Sequence, residues 1–197
     1  FNEKIKRKMK TLVIIPSRLS ASRLPGKPLL KINGLSIISH VYKKAQEANI
    51  GDVFVAAEDQ EIADDVIKNG GEVILTSNNH ITGTDRIYEA LVKLDRTDVQ
   101  LVMNLQGDEP LMNIEDIQNL NSQMIKTNCD LGTLAAKIND KKIFQNRNIV
   151  KVITEESLDD SKFPRALNFV RELDKGINHT YHHLGIYCYN VEILKKF

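Results

Sequence analysis

In IIPSRLSASRLPGKPLL, residues 14–30, the cations Arg18, Arg23 and Lys27 follow an apolar run and share a loop stiffened by Pro16, Pro25 and Pro28. Arginine forks onto oxyanions and lysine acts as a point charge, so these groups in one stiff loop suit a polyphosphate. Gly26 would let backbone come close to such a ligand. A Walker A loop is excluded, because Lys27 is followed by Pro28 and no first glycine stands at the required spacing. The dinucleotide fingerprint G-x-G-x-x-G fails as well, since the loop holds a single glycine. The reading is a nucleoside triphosphate on a non-Walker scaffold, with a solvated basic loop as the bland alternative.

Further groups fall at comparable places. NLQGDEP, residues 104–110, puts Asp108 and Glu109 directly after an apolar run. Carboxylates beside a phosphate site imply Mg²⁺, which bridges both sets of oxygens. Asp108 follows Gly107, where the backbone is expected to be open, and is the better ligand; Glu109 precedes Pro110 and equally suits a turn. In HITGTDR, residues 80–86, Thr82 and Thr84 offer hydroxyls and Gly83 an open N–H for the edge of a base. Arg86 lies in a first helical turn, where a cation opposes the helix dipole, which hints that it is needed there. Thr82 or Thr84 equally reads as a helix N-cap, and capping and binding can coexist. In YHHLGIYCY, residues 181–189, alternation puts His183, Gly185 and Tyr187 on one strand face with room for a polar ligand. A core histidine is the competing reading of His183.

These groups need a scaffold that gathers loops at one edge. Apolar runs at 11–15, 52–57, 72–75 and 99–105 read as strands, and periodic segments at 36–48, 59–68, 84–94 and 114–125 as helices. Residues 29–34 read as an extended piece closed by an Asn-Gly turn, and Ser36 as an N-cap. Strand and helix alternate, which predicts one α/β domain, a mostly parallel sheet with helices on both faces. The C-terminal half is less regular, with strands expected at 131–137, 149–154 and 183–189. In such sheets ligands bind outside the carboxyl ends of the strands, where the basic loop and the acidic pair both fall.

Composition sets the outer limits. Of 197 residues, 42% are hydrophobic and 27% charged, the mix of an ordinary globular protein. Lys and Arg number 27 against 26 Asp and Glu, so a nucleic-acid binder working by bulk charge is excluded and any cationic site is local. Cys129 and Cys188 make neither a disulfide framework nor a zinc site. No run is long enough to span a bilayer, and no signal-type segment follows the basic start, so the cytoplasm is the expected compartment. Met9-Lys10 reads as a natural start, with residues 1–8 expected to be an extension outside the fold.

IIP-x-R with RLPGKPL, then GTDR, NLQGDEP and HLGIYCY, occur in this order. Together they make the chain, from about Lys10 onward, resemble the 3-deoxy-manno-octulosonate cytidylyltransferases, or CMP-KDO synthetases. The resemblance implies a nucleotide-diphospho-sugar-transferase-like fold over residues 10–197, and CTP plus KDO giving CMP-KDO and pyrophosphate for lipopolysaccharide assembly. It implies that Arg18, Arg23 and Lys27 hold the triphosphate, with Lys27, Arg18 and Asp108 as the catalytic groups and Asp108 holding Mg²⁺. It places Thr82, Gly83, Thr84 and Arg86 against the cytosine nucleotide, and Gln106, His183, Tyr187 and Arg165 against the sugar acid. A homodimer with CTP and KDO as its partners, and neither nucleic acid nor membrane, completes the implication. The family also carries a Glu-Gln pair and a second metal aspartate past the position of Phe197. The expectation is therefore a truncated piece, or a product without the two-carboxylate metal site. Phe163-Pro164-Arg165 and Ala57-Glu58 depart from the family's usual residues. Two alternatives stay open: a cytidylyltransferase for another acid sugar such as sialic acid, and a CTP-binding module without catalysis.

Overall fold

Thr11–Ser17 forms the central strand β1 because its β-branched run can be covered on both faces; Leu12, Val13, Ile14 and Ile15 are fully buried. The computed structural model describes residues 9–20, 24–172 and 178–196. A 3₁₀ turn at Lys27–Leu29 leads into the hairpin β2 (Lys31–Ile32) and β3 (Leu35–Ser36). Then come α1 (Ile37–Ala48), β4 (Gly51–Ala57), α2 (Gln60–Lys68), β5 (Val73–Leu75), α3 (Gly83–Leu94), β6 (Leu101–Asn104) and α4 (Ile114–Thr127). The chain continues through β7 (Leu131–Ala136), α5 (Lys141–Gln145), β8 (Lys151–Thr154), β9 (Ala166–Val170), β10 (Thr180–Asn190) and α6 (Val191–Leu194).

The described residues form two compact units, one up to Gly132 together with those from Ile186 onward, the other within Thr133–Gly185. In the first, β5, β4, β1 and β6 lie side by side and parallel. The last residues of β10 run antiparallel to β6, with Tyr187 opposite Asn104 and Cys188 opposite Met103. Leu12 and Ile14 pack with Ile87, Ala90 and Leu91 of α3 on one face. On the other, Thr11 Oγ1 donates to Asn121 Oδ1 of α4 at 2.6 Å. The result is the α/β class expected from the alternation of strand and helix, a mostly parallel sheet flanked by helices.

Local signals act as their chemistry dictates. Ser36 caps α1 by accepting from Ser39 N at 3.2 Å. Asn33 and Gly34 adopt φ 50° and 84°, the paired left-handed conformations that a two-residue hairpin turn requires.

In the second unit, β8 pairs antiparallel with β9 and with the start of β10. β9 was not legible in the sequence: four of its five residues are exposed, so it carries no burial pattern. Lys151 is fully buried there, its ammonium donating to Asn146 O at 2.6 Å and Arg171 O at 2.9 Å. Among the described residues no helix is long and apolar enough to cross a membrane.

Candidate active site

Because β1, β4 and β6 are parallel and adjacent, their carboxyl ends deliver three loops to one edge. The loop after β1 is tied at Leu19, whose N–H donates to Asp59 Oδ2 at 2.7 Å and whose carbonyl accepts from Gly26 N at 3.0 Å. Gly26 has φ 73° and a Cβ there would meet nothing within 4 Å, so the glycine serves the turn rather than a close approach. Arg18 is exposed at the mouth of this loop. Arg23 lies outside the described residues.

Lys27 opens the 3₁₀ turn and its Nζ sits 2.8 Å from Asp108 Oδ2. The two side chains are 32% and 48% exposed. An ion pair this open contributes roughly 0–1 kcal/mol, so a polyphosphate can take Lys27 and a cation Asp108 at little cost. Gly107 is a correction to the expected open backbone. A Cβ there would lie 2.9 Å from Pro16 O and 3.1 Å from Ile38 Cδ1, so glycine is needed to pass between β1 and α1. Among the described residues no group of three or more His, Cys, Asp or Glu could hold a metal. Asp108 alone still fits Mg²⁺, which is held by one or two carboxylates with substrate phosphates and water filling the other positions.

The start of α3 differs from expectation in one respect. Thr82 caps the helix in a capping box: its hydroxyl accepts from Asp85 N at 3.2 Å, and Asp85 Oδ2 accepts from Thr82 N at 3.0 Å. The Thr82 hydroxyl, which donates to Asp85 Oδ2 at 2.7 Å, and then the Thr82 N–H hold the Asp85 carboxyl below its ordinary range. Arg86, expected against the nucleotide, points inward instead. It is 3% exposed, and its guanidinium donates to Thr76 Oγ1 at 2.5 Å and Ser77 O at 3.0 Å and pairs with Glu58. Glu58 neutralises the cation that the helix dipole disfavours, so Arg86 locks the ends of β4 and β5 to α3. The sequence signal for Glu58 is an acid at the carboxyl end of a buried strand.

A cavity of about 400 Å³ opens beside this edge. Gly83, Thr84, Gln106 and Tyr187 line it, as do Asn104 and Tyr189, which were not singled out. The Tyr187 and Tyr189 rings stack with centroids 6.0 Å apart, and burial raises the Tyr187 hydroxyl pKa. A larger hollow of about 500 Å³ on the flank of α3 is lined by His80, Tyr88, Glu89 and Lys93; of the predicted residues it holds only Thr84.

His183 and Arg165 belong to the second unit. His183 Nε2 lies 3.0 Å from Thr133 Oγ1, and its ring meets Phe169 edge-on at 4.9 Å. Burial, then the neighbouring His182, lowers its pKa. Arg165 is exposed, and its carbonyl accepts from Glu155 N at 2.9 Å. Cys129 and Cys188 are free thiols, and burial pushes Cys188 up to about 12, so it is inert.

Residues 12–197 match the cytidylyltransferase family. A 3-deoxy-manno-octulosonate cytidylyltransferase of Rhodopseudomonas palustris (strain BisB18) is 45% identical over 190 residues, 95% of this chain and 77% of the relative. The enzyme of the same name from Afipia carboxidovorans is 43% identical over 189 residues, covering 95% and 76%. Among solved structures, a CMP:2-keto-3-deoxy-manno-octonic acid synthetase complexed with CTP superposes with a TM-score of 0.83 at 34% identity, over 95% of this chain and 76% of that one. A cytidylyltransferase from Leptospira borgpetersenii, 17% identical with a TM-score of 0.62 over 95% of this chain and 63% of its own, shares the fold.

Proposed function

Since the chain belongs to the cytidylyltransferase family, among the 3-deoxy-manno-octulosonate cytidylyltransferases, we propose that it transfers the cytidylyl group of CTP to KDO. The carrying observation is the Lys27–Asp108 contact, a cation and a carboxylate held 2.8 Å apart at the carboxyl edge of the sheet. The anomeric hydroxyl oxygen of KDO bonds to the α-phosphorus, the bond from that phosphorus to the β-phosphate oxygen breaks, and pyrophosphate leaves with the electron pair. The hydroxyl proton passes to water.

Little covalent chemistry falls to the protein; positioning and charge neutralisation carry the reaction. Lys27 and Arg18, with Arg23, hold the triphosphate, and Lys27 stabilises the charge that grows on the leaving pyrophosphate. Gly83 and Thr84 face the nucleotide, while Thr82 positions them through its cap. Gln106 and Tyr187 contact the sugar acid; His183 and Arg165, which the family resemblance implies as further contacts, belong to the second unit. Asp108 would hold Mg²⁺ together with phosphate oxygens, and the ion supplies charge neutralisation and polarisation of the hydroxyl. The working form in this proposal is a cytoplasmic homodimer acting on two small molecules.

The test is pyrophosphate release from CTP with Mg²⁺ and either KDO or sialic acid. Release with KDO alone is expected. Release with sialic acid overturns the substrate, and CTP binding without release in either case leaves a binding module. Asp108→Asn is expected to abolish release with the fold intact; a loss below about tenfold, or roughly 1.4 kcal/mol of barrier, removes Asp108 from the mechanism.

A further inference from the structure

We infer that Asn104 determines acceptor specificity, its side-chain carbonyl taking a hydrogen bond from a hydroxyl of the sugar acid bound in the cavity at the end of β6. This rests on the acid-sugar reading above. Asn104 is the last residue of β6, 4% exposed, and its Oδ1 has no hydrogen-bond partner among the described residues. A buried acceptor without a donor is destabilising, and the large majority of buried polar atoms are paired. Three such atoms occur among the described residues, on Ser17, Asn104 and Thr180; of these residues Asn104 alone lines the cavity.

No donor among the described residues accounts for the carboxamide oxygen here. Its neighbours Leu101, Val102, Met103 and Leu105 are apolar and fully buried, and β6 is paired on both sides, with Ile14 and Tyr187 opposite Asn104. An apolar side chain of similar size would satisfy packing better. The orphaned oxygen is accounted for by a donor that arrives with a ligand.

The cavity's chemistry selects that ligand. None of its lining side chains is charged; its polar groups are the hydroxyls of Thr84, Tyr187 and Tyr189 and the carboxamides of Asn104 and Gln106. Phosphates would require the cations that sit on the loop after β1. With Thr84 turned to the nucleotide, the edge of one base has too few hydrogen-bonding atoms to use the remaining neutral groups as well, whereas a polyhydroxylated chain can engage Asn104, Gln106, Tyr187 and Tyr189. Two carboxamides at alternate positions, 104 and 106, each accept from and donate to hydroxyls.

Steady-state kinetics and melting of Asn104→Leu test this. The KM for KDO is expected to rise on the order of tenfold, as for one lost hydrogen bond, while the KM for CTP stays within about twofold. The melting temperature is expected to hold or rise, because an unpaired polar group has been replaced by an apolar one of similar size. If the KM for CTP rises instead, the oxygen serves the nucleotide and the inference falls. If neither constant moves, or if the variant melts much lower, Asn104 is structural and the inference falls. Should Asn104→Leu not fold, Asn104→Ser carries the same comparison of the two constants. A silent wild-type chain overturns the functional reading by itself. Calorimetric KDO binding to wild type and Asn104→Leu then decides the inference: binding weakened by the substitution upholds it, and equal or absent binding overturns it.

Discussion

Arg18 and Arg86 both stand in loops or first turns just beyond carboxyl ends of the parallel strands, yet the molecule uses them in opposite ways. Arg18 is exposed at the mouth of a loop anchored one residue later by Asp59 and Gly26. Arg86 is buried, and Glu58, Thr76 and Ser77 take up its guanidinium. The same contrast separates two ion pairs: Lys27–Asp108 is open to solvent, while Arg86–Glu58 is 3% and 13% exposed. A cation that must exchange its partner for a phosphate needs a pair of small net worth, which solvent screening provides. A cation that clamps loops needs a partner it cannot leave, which burial provides. Residue type alone does not tell an exposed cation from a clamping one; the burial of the cation and its partner does.

The sharpest way to break this comparison is Arg86→Met. It leaves Glu58, only 13% exposed, without its cation, and is expected to cost about 3–5 kcal/mol of stability by urea unfolding. Adding Glu58→Gln should recover part of that loss. A fall in turnover with unchanged stability would return Arg86 to the nucleotide site. Lys27→Ala is expected to do the reverse, lowering turnover by ~10²–10³ with little change in melting, on the scale of a lost oxyanion donor. An unchanged rate would demote the loop to a structural feature.

Thr82→Ala removes the α3 cap and should cost about 1 kcal/mol of stability. If KM for CTP rises along with it, the cap also positions the nucleotide; if stability does not change, the capping box contributes nothing. The smallest effect concerns acid. Burial alone would raise the Glu89 carboxyl, but Lys93, His80 and the Ser77 N–H outweigh it and hold it at about 2, against 4.5 when unperturbed. Its folded-state pKa is depressed, so its stabilisation is present above 4.5 and fades as pH falls toward 2. Unfolding of wild type and Glu89→Gln at several pH values should show a stability gap that closes across that window. A gap that persists at the acid end would mean Glu89 acts by packing rather than charge.

Much of the fold was legible because burial leaves a period in the sequence. The run at 11–15 became β1, Ser36 capped α1, and the Asn33-Gly34 dipeptide made its hairpin turn. Strand β9 escaped because Ala166, Leu167, Asn168 and Phe169 are exposed, so no alternation marks them. Within the site, Lys27 and Asp108 were found separately, each from its type and its place after an apolar run, and the structure brings them to 2.8 Å. Glu58 and Asn104 were passed over, since a lone acid and a lone amide at strand ends resemble any solvated turn.

The sequence by itself determined the alternation of strands and helices as far as α4, the sheet edge that carries Lys27 and Asp108, and the family, because these follow from local periodicity and short motifs. Only the tertiary structure decided which groups at that edge are committed and which are available. Arg86 is held by Glu58 across 28 positions, Lys27 meets Asp108 across 81, and Asn104 is left with an unpaired oxygen in a cavity. Burial and partner choice arise from contacts between residues far apart in the chain, and no local pattern encodes them.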